Sequence, residues 1–262
     1  MNIKIKKILK KKNKTKIVCL TAYSKKIASI LDKYCDVVLV GDSLGSVLYN
    51  YKSTKEVTLD IMINHSKSVR LGVQKSVMIV DMPYNTYQTP QEALRNVKLV
   101  MKETRCDGVK LEGGEKIIPI VKNLVKNKIP VMGHVGILPQ SDKKFTFKGK
   151  KKNESERILN ETKLLEKAGV FSIVLECIET KLSKQITKKI KIPTIGIGSS
   201  SNCDGQVLVI DDLIGMSESK FKFVKKYVDV GKIIDNAVKR YKYEVQKKKF
   251  PKAKHSFRNK VD

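Results

Sequence analysis

Eight short aliphatic runs recur along the chain, and each breaks off in a polar or glycine-rich turn. They are KIVCLTAY (16–23), VVLVGDS (37–43), SVMIVDMP (76–83), GVKLEGG (108–114), PVMGHVG (130–136), FSIVLEC (171–177), PTIGIGSS (193–200) and GQVLVIDD (205–212). Their apolar character is continuous rather than alternating, the habit of strands buried on both faces of a parallel sheet. Between them lie segments of helical period. In TPQEALRNVKLVMK, residues Ala93, Leu94, Val97, Val100 and Met101 share one face. Thr89 as cap, Pro90 as first helical residue and Glu92 as partner in a T-x-x-E box predict where that helix starts. Residues 115–126, 154–168 and a stripe of Ile234, Val238, Tyr241 and Val245 predict further helices. Such alternation implies right-handed βαβ crossovers, and eight strands suggest a (β/α)8 TIM-type barrel. The competitor is an open doubly wound sheet, but no GxGxxG opens a helix after the first strand.

A length of 262 residues suits one such barrel, and no repeat or Pro/Ser-rich linker divides it. The expected organisation is a single domain over 1–262, with a basic N-terminal segment at 1–15 and C-terminal helices and tail at 219–262. The net charge of +28 is concentrated at the ends. Residues 1–16 carry eight lysines and no acid, and residues 239–262 carry ten Lys or Arg against two acids. Aromatic residues make up only 6%, Lys far exceeds Arg, and no nucleic-acid-binding motif occurs. The termini therefore read as solvated lysine faces rather than a nucleic-acid surface, and residues 1–14 are expected to be dispensable for catalysis. The stretch 140–153 reads as a mobile loop. Five cysteines without CxxC spacing read as reduced core thiols. With no secretory h-region and no membrane-length apolar run, a soluble cytoplasmic protein is expected.

In a barrel of this type the active site lies at the C-terminal ends of the strands. Those ends are acidic: Asp42 closes the second run, Asp81 the third and Glu176 the sixth, while Lys110 and Glu112 flank the end of the fourth and His134 sits in the fifth. Four carboxylates converging on one mouth raise one another's pKa, and burial adds to the cost. Mg²⁺ resolves that conflict, since it takes oxygen ligands from one or two carboxylates and leaves other positions to water and substrate. Zinc is disfavoured, with no HxxxH or cysteine pair and only three histidines. Metal plus carboxylate base suits enolisation of a 2-oxo acid, with Lys110 holding the substrate carboxylate. A Schiff-base role for Lys110 is the rival, and it requires a depressed pKa. His134 reads either as a proton carrier or as a hydrogen-bonded wall residue. The glycines of GIGSSSNCDGQ read either as an anion cradle or as tight rim turns.

At this point the chain resembles the ketopantoate hydroxymethyltransferase family. The likeness is carried by LTAYS, VLVGDSLG, STKEVTLDIMINH, DMPYNTYQTPQEALRN, VKLEGGE, IPVMGHVGILPQS, VLECI, IPTIGIGSSSNCDGQVLV and FPKAKHSF, in that order. The resemblance implies a TIM-type barrel in a homo-oligomer, commonly a decamer. It implies Mg²⁺ on Asp42 and Asp81, with Glu112 completing or supporting that site. Asp42, Ser43, Asp81 and Lys110 would contact 3-methyl-2-oxobutanoate, and Glu176 would be the catalytic proton acceptor. A hydroxymethyl unit from 5,10-methylenetetrahydrofolate would then give 2-dehydropantoate and tetrahydrofolate. The chain departs from the family pattern at Ser24, where Asp is usual, at Asp211, where His is usual, and after PQS, where DKKFTFKGK replaces a Gly-Gly-Tyr loop. A related barrel enzyme of the phosphoenolpyruvate-mutase and isocitrate-lyase kind is the alternative, though its catalytic-cysteine loop is not found in the sequence.

Overall fold

The computed structural model describes residues 2–142 and 146–257. Its first compact unit, Met1–Ile210, is a closed barrel of eight parallel strands in sequential order. These are β1 (Ile17–Thr21), β2 (Val37–Val40), β3 (Val77–Asp81), β4 (Gly108–Glu112), β5 (Val131–Gly136), β6 (Ser172–Glu176), β7 (Thr194–Ile197) and β8 (Gly205–Leu208). Each falls within a predicted run. β2, β3 and β4 are buried along their whole length, which is why their sequences do not alternate.

The helices of this unit are α1 (Ile3–Lys10), α2 (Lys25–Leu31), α3 (Leu44–Tyr49), α4 (Leu59–Arg70), α5 (Pro90–Thr104), α6 (Ile118–Lys126), α7 (Lys152–Ala168) and α8 (Thr180–Lys189). β7 returns to β8 through residues 198–204 without a helix. α5 starts as its sequence predicts: Pro90 is in the first turn and Thr89 Oγ1 accepts from the Glu92 N–H. Only half of the predicted box forms, because the Glu92 carboxylate accepts from the Gln88 N–H instead of from the cap. The second unit, Asp211–Asp262, begins within the short α9 (Ile210–Ile214) and contains α10 (Val230–Gln246), the helix predicted from the 234–245 stripe. Asp229 caps α10 by accepting from the Lys232 N–H, and no residue of α10 is buried.

Register fixes the mouth of the barrel. Asp81 pairs with Lys110, Glu112 with His134, and Gly136 with Glu176. Partners in register point to the same side of a sheet, so the four neighbouring strands β3, β4, β5 and β6 deliver their ionisable groups to one place.

The opposite end corrects the reading of residues 1–16 as a solvated tail. Within them Ile3–Lys10 form α1, capped by Asn2, whose side chain accepts from the Lys4 N–H. Ile5 and Ile8 are buried in one cluster with Ile17, Val37, Ile79 and Met132. Period 3 places the two isoleucines on one face and leaves Lys6 and Lys7 outward. Several lysines are anchors rather than free charges. Lys4 Nζ donates to the carbonyls of Gln74 and Ser76 just before β3. Lys11 pairs with Asp36 just before β2, and Lys12 with Asp204 just before β8. Through Ile5 and Ile8 this segment contributes to the barrel core. Replacing Ile5 by Ala should destabilise the protein by about 2–5 kcal/mol, the usual cost of emptying a buried aliphatic site. Lys6→Ala should change stability by less than about 0.5 kcal/mol. Urea denaturation of both variants checks the contrast.

Candidate active site

Asp42, Asp81, Lys110, Glu112 and His134 are all buried at the C-terminal mouth, and Glu176 is the least buried of the set, with 12% of its side chain exposed. Lys110 Nζ lies 3.1 Å from Asp81 Oδ1, 3.9 Å from Glu112 Oε1 and 3.3 Å from His134 Nδ1. His134 bridges two acids, with Nδ1 3.5 Å from Glu112 Oε1 and Nε2 3.3 Å from Glu176 Oε2. The Asp42 N–H donates to Asp81 Oδ2 at 3.1 Å. Ser43 is half-buried, and its hydroxyl meets the Tyr23 hydroxyl at 2.9 Å.

These positions set the charges. Burial, with Asp81 and Glu112 close by, pushes Asp42 up to about 8. Burial and Glu112 also raise Asp81, against the pull of Lys110. Burial opposes the charge on Lys110, but Asp81, Glu112 and Asp42 outweigh it and hold the ammonium above the ordinary lysine value. Burial likewise works to raise Glu112, yet His134, Lys110 and the Gln140 N–H together bring it below the usual carboxylate value. Burial and Lys110 oppose protonation of His134, but Glu112 and Glu176 on either side raise it to about 9. Its two ring nitrogens thus each face a carboxylate, and those carboxylates favour the protonated ring.

Among the described residues, no group of three or more His, Cys, Asp or Glu side chains is disposed as a shell around one metal ion. A magnesium ion does not need one, since one or two carboxylates with water and substrate suffice. Asp42 and Asp81 fit that requirement. They adjoin, burial and Glu112 raise both of them, Asp81 also raises Asp42, and Asp81 Oδ1 is buried with no hydrogen bond beyond its ion pair with Lys110. Glu112 is committed to His134 and to the Gln140 N–H, which donates to its Oε2 at 3.0 Å.

A family model, ketopantoate hydroxymethyltransferase, matches residues 2–253. The chain belongs to this family. A relative from Pelagibacter ubique (strain HTCC1062) named 3-methyl-2-oxobutanoate hydroxymethyltransferase is 62% identical over 98% of this chain and the whole of its own length. One of the same name from Chelativorans sp. (strain BNC1) is 46% identical over 95% of this chain and 90% of its own. Among solved structures, 2,3-dimethylmalate lyase, a member of the PEP mutase/isocitrate lyase superfamily, superposes with a TM-score of 0.62 over all of this chain and 91% of that one, at 11% identity. That likeness is one of fold alone. The ketopantoate hydroxymethyltransferase match and the 62% identity settle the alternative that the sequence left open in favour of this family.

Sequence reasoning missed two residues of the mouth, Gln140 and Tyr87. The Gln140 amide donates to Asp42 Oδ2 at 2.7 Å, and its oxygen accepts from the Tyr87 hydroxyl. Gln140 stands in the PQS motif and Tyr87 in YNTYQTP, so the signal was present, but 140–153 read as a loose loop. Its first residue is instead among the most buried polar groups of the protein, at 3% exposure. Residues 143–145, where part of the DKKFTFKGK departure falls, lie outside the described residues. His65 ties Tyr49 to the Tyr23 carbonyl. Residues 198–204 act as a rim turn, with the Ser199 hydroxyl bridging Leu175 O and the Ile178 N–H.

Glu176 is held from behind. Gly136 adopts φ of +105°, and a Cβ there would collide with the Glu176 carbonyl oxygen, which accepts from the Ile137 N–H. Gly136→Ala should therefore cost at least about 2 kcal/mol of stability, read by thermal or urea unfolding. Two groups also make stability fall with pH. Asp42 is raised from 3.8 to about 8 and His134 from 6.5 to about 9, so the folded form holds protons that the unfolded chain has released. In metal-free protein the stability present below the unfolded values is lost as pH climbs to about 8 for Asp42 and about 9 for His134. Melting temperatures from pH 6.5 to 9 should decline, and Asp42→Asn should flatten the part of the slope below about 8.

Proposed function

We propose that this chain transfers a hydroxymethyl unit from 5,10-methylenetetrahydrofolate to 3-methyl-2-oxobutanoate, giving 2-dehydropantoate and tetrahydrofolate for pantothenate synthesis. Water supplies the new hydroxyl. The names carried by the curated relatives support this reading. The observation that carries it is the convergence on one mouth of a buried Lys110, held towards its charged form by Asp81, Glu112 and Asp42, and a partly exposed carboxylate, Glu176, backed by His134.

Asp42 and Asp81 would hold Mg²⁺, with Glu112 completing the negative field. When bound, the ion supplies the positive charge that makes the C3 hydrogen of a 2-oxo acid acidic. The protein groups then divide the remaining work. Lys110 Nζ and the Ser43 hydroxyl orient the substrate carboxylate. Glu176, at the rim, accepts the C3 proton, and His134 holds its carboxylate in place from the barrel side. A Schiff-base mechanism needs a neutral amine, and Lys110, raised by three surrounding acids, is kept charged.

Deuterium exchange at C3 of 3-methyl-2-oxobutanoate tests the reading without the folate step. Exchange should need Mg²⁺ and fall by about 10²-fold or more in Glu176→Gln, the scale of removing a general base. Metal-independent exchange, or exchange unchanged in the variant, would remove these roles. Turnover of the 2-oxo acid without folate would remove the transferase assignment.

A further inference from the structure

We infer that Gln140 is a positioning residue for the metal-holding carboxylate: its amide, oriented by the Tyr87 hydroxyl, fixes which oxygen of Asp42 stays free for a cation. The inference rests on the reading that Asp42 and Asp81 hold the ion.

A primary amide has two N–H donors and one acceptor oxygen. In Gln140 both donors point at acceptors: Nε2 reaches Asp42 Oδ2 at 2.7 Å and the Met82 carbonyl at 3.0 Å. The Tyr87 O–H donates to Oε1, and its other contact, the Glu112 carbonyl, is at the outer limit of a hydrogen bond at 3.5 Å. Turning the amide over would set its oxygen against the Met82 carbonyl and its nitrogen against the Tyr87 hydroxyl. The Met82 carbonyl cannot donate, so the polarity of the amide is locked. With Oδ2 of Asp42 taken by Gln140, Oδ1 is the oxygen left to a ligand. Hydrogen bonds of this kind orient metal-binding carboxylates and tune their affinity.

The same residue reaches a second acid through its backbone, donating to Glu112 Oε2 at 3.0 Å. Its own turn is closed tightly: the Leu138 N–H donates to Asp142 Oδ2 at 3.0 Å, the Ser141 N–H to Leu138 O at 2.9 Å, and Lys148 pairs with Asp142 at 3.1 Å. The connection after β5 therefore determines the geometry of acids that stand at the ends of β2 and β4. Gln140 and Tyr87 are both buried, so water does not substitute for either partner.

The test uses Mn²⁺ alone on the full chain, with binding followed by the electron paramagnetic resonance of free Mn²⁺ and no substrate present. Gln140→Leu should weaken binding by about 10- to 100-fold, the usual effect of removing a partner of a ligating group. Tyr87→Phe should weaken it in the same direction and by less. The double variant should lose no more than Gln140→Leu alone, because Tyr87 acts through the amide, whereas general loosening of the fold would give additive losses. Additive losses, or binding within about twofold of the unaltered chain in both variants, would overturn the inference. Should Gln140→Leu fail to fold, unchanged Mn²⁺ affinity in Tyr87→Phe overturns it. An unaltered chain that binds no Mn²⁺ would instead refute the metal reading on which this one stands.

Discussion

One lysine among carboxylates, out of reach of bulk water, is the interaction on which the mouth of this barrel depends. Lys110 has Asp81 at 3.1 Å and Glu112 at 3.9 Å, and each of the three is almost wholly buried. Deleting one member of such a cluster leaves its partners uncompensated, at about 3–5 kcal/mol. The cluster is assembled by β3 and β4, so its geometry is a consequence of sheet register. A slip of one residue in β4 would turn both Lys110 and Glu112 out of the mouth together, since they share a face two residues apart.

Lysine has a different part at the other end of the barrel. There Lys4, Lys11, Lys12 and Lys16 reach carbonyls and acids at strand starts, each ammonium donating to a backbone or side-chain acceptor. α1 completes that end by covering the core with Ile5 and Ile8. One residue type thus serves stability at the N-terminal face and electrostatics at the C-terminal face, the division of labour expected of this fold. None of the helices among the described residues is long and apolar enough to cross a membrane.

His134 stands between two carboxylates, Glu112 and Glu176, that favour its protonated form, and it links a buried acid at the end of β4 to the one at the rim. Gln140 does the corresponding work on the other side, between Asp42 and Glu112. Five strand ends and one turn are therefore knitted into a single polar network in which few orientations are independent, and such networks are rigid when every member is satisfied.

The sequence by itself determined the strands, four of the helices, the start of α5 and the ionisable residues of the mouth. Continuous aliphatic runs can be stable only when buried on both faces, and a charge at the end of such a run must find a partner. Asp42, Asp81, Lys110, Glu112, His134 and Glu176 were legible for that reason. Tertiary structure alone decided the rest. Residues 1–16 are so rich in lysine that local composition reads as solvent-exposed, and only the open end of a closed barrel gives Ile5 and Ile8 something to cover. Gln140 carries no charge and sits in a polar stretch, so nothing local marks it. Its role exists because β2, β3 and β4 bring Asp42, Met82 and Glu112 within reach of one turn after β5. The pairing of His134 with two acids is likewise set by register between neighbouring strands, a relation between residues 22 and 42 positions apart that no local pattern encodes.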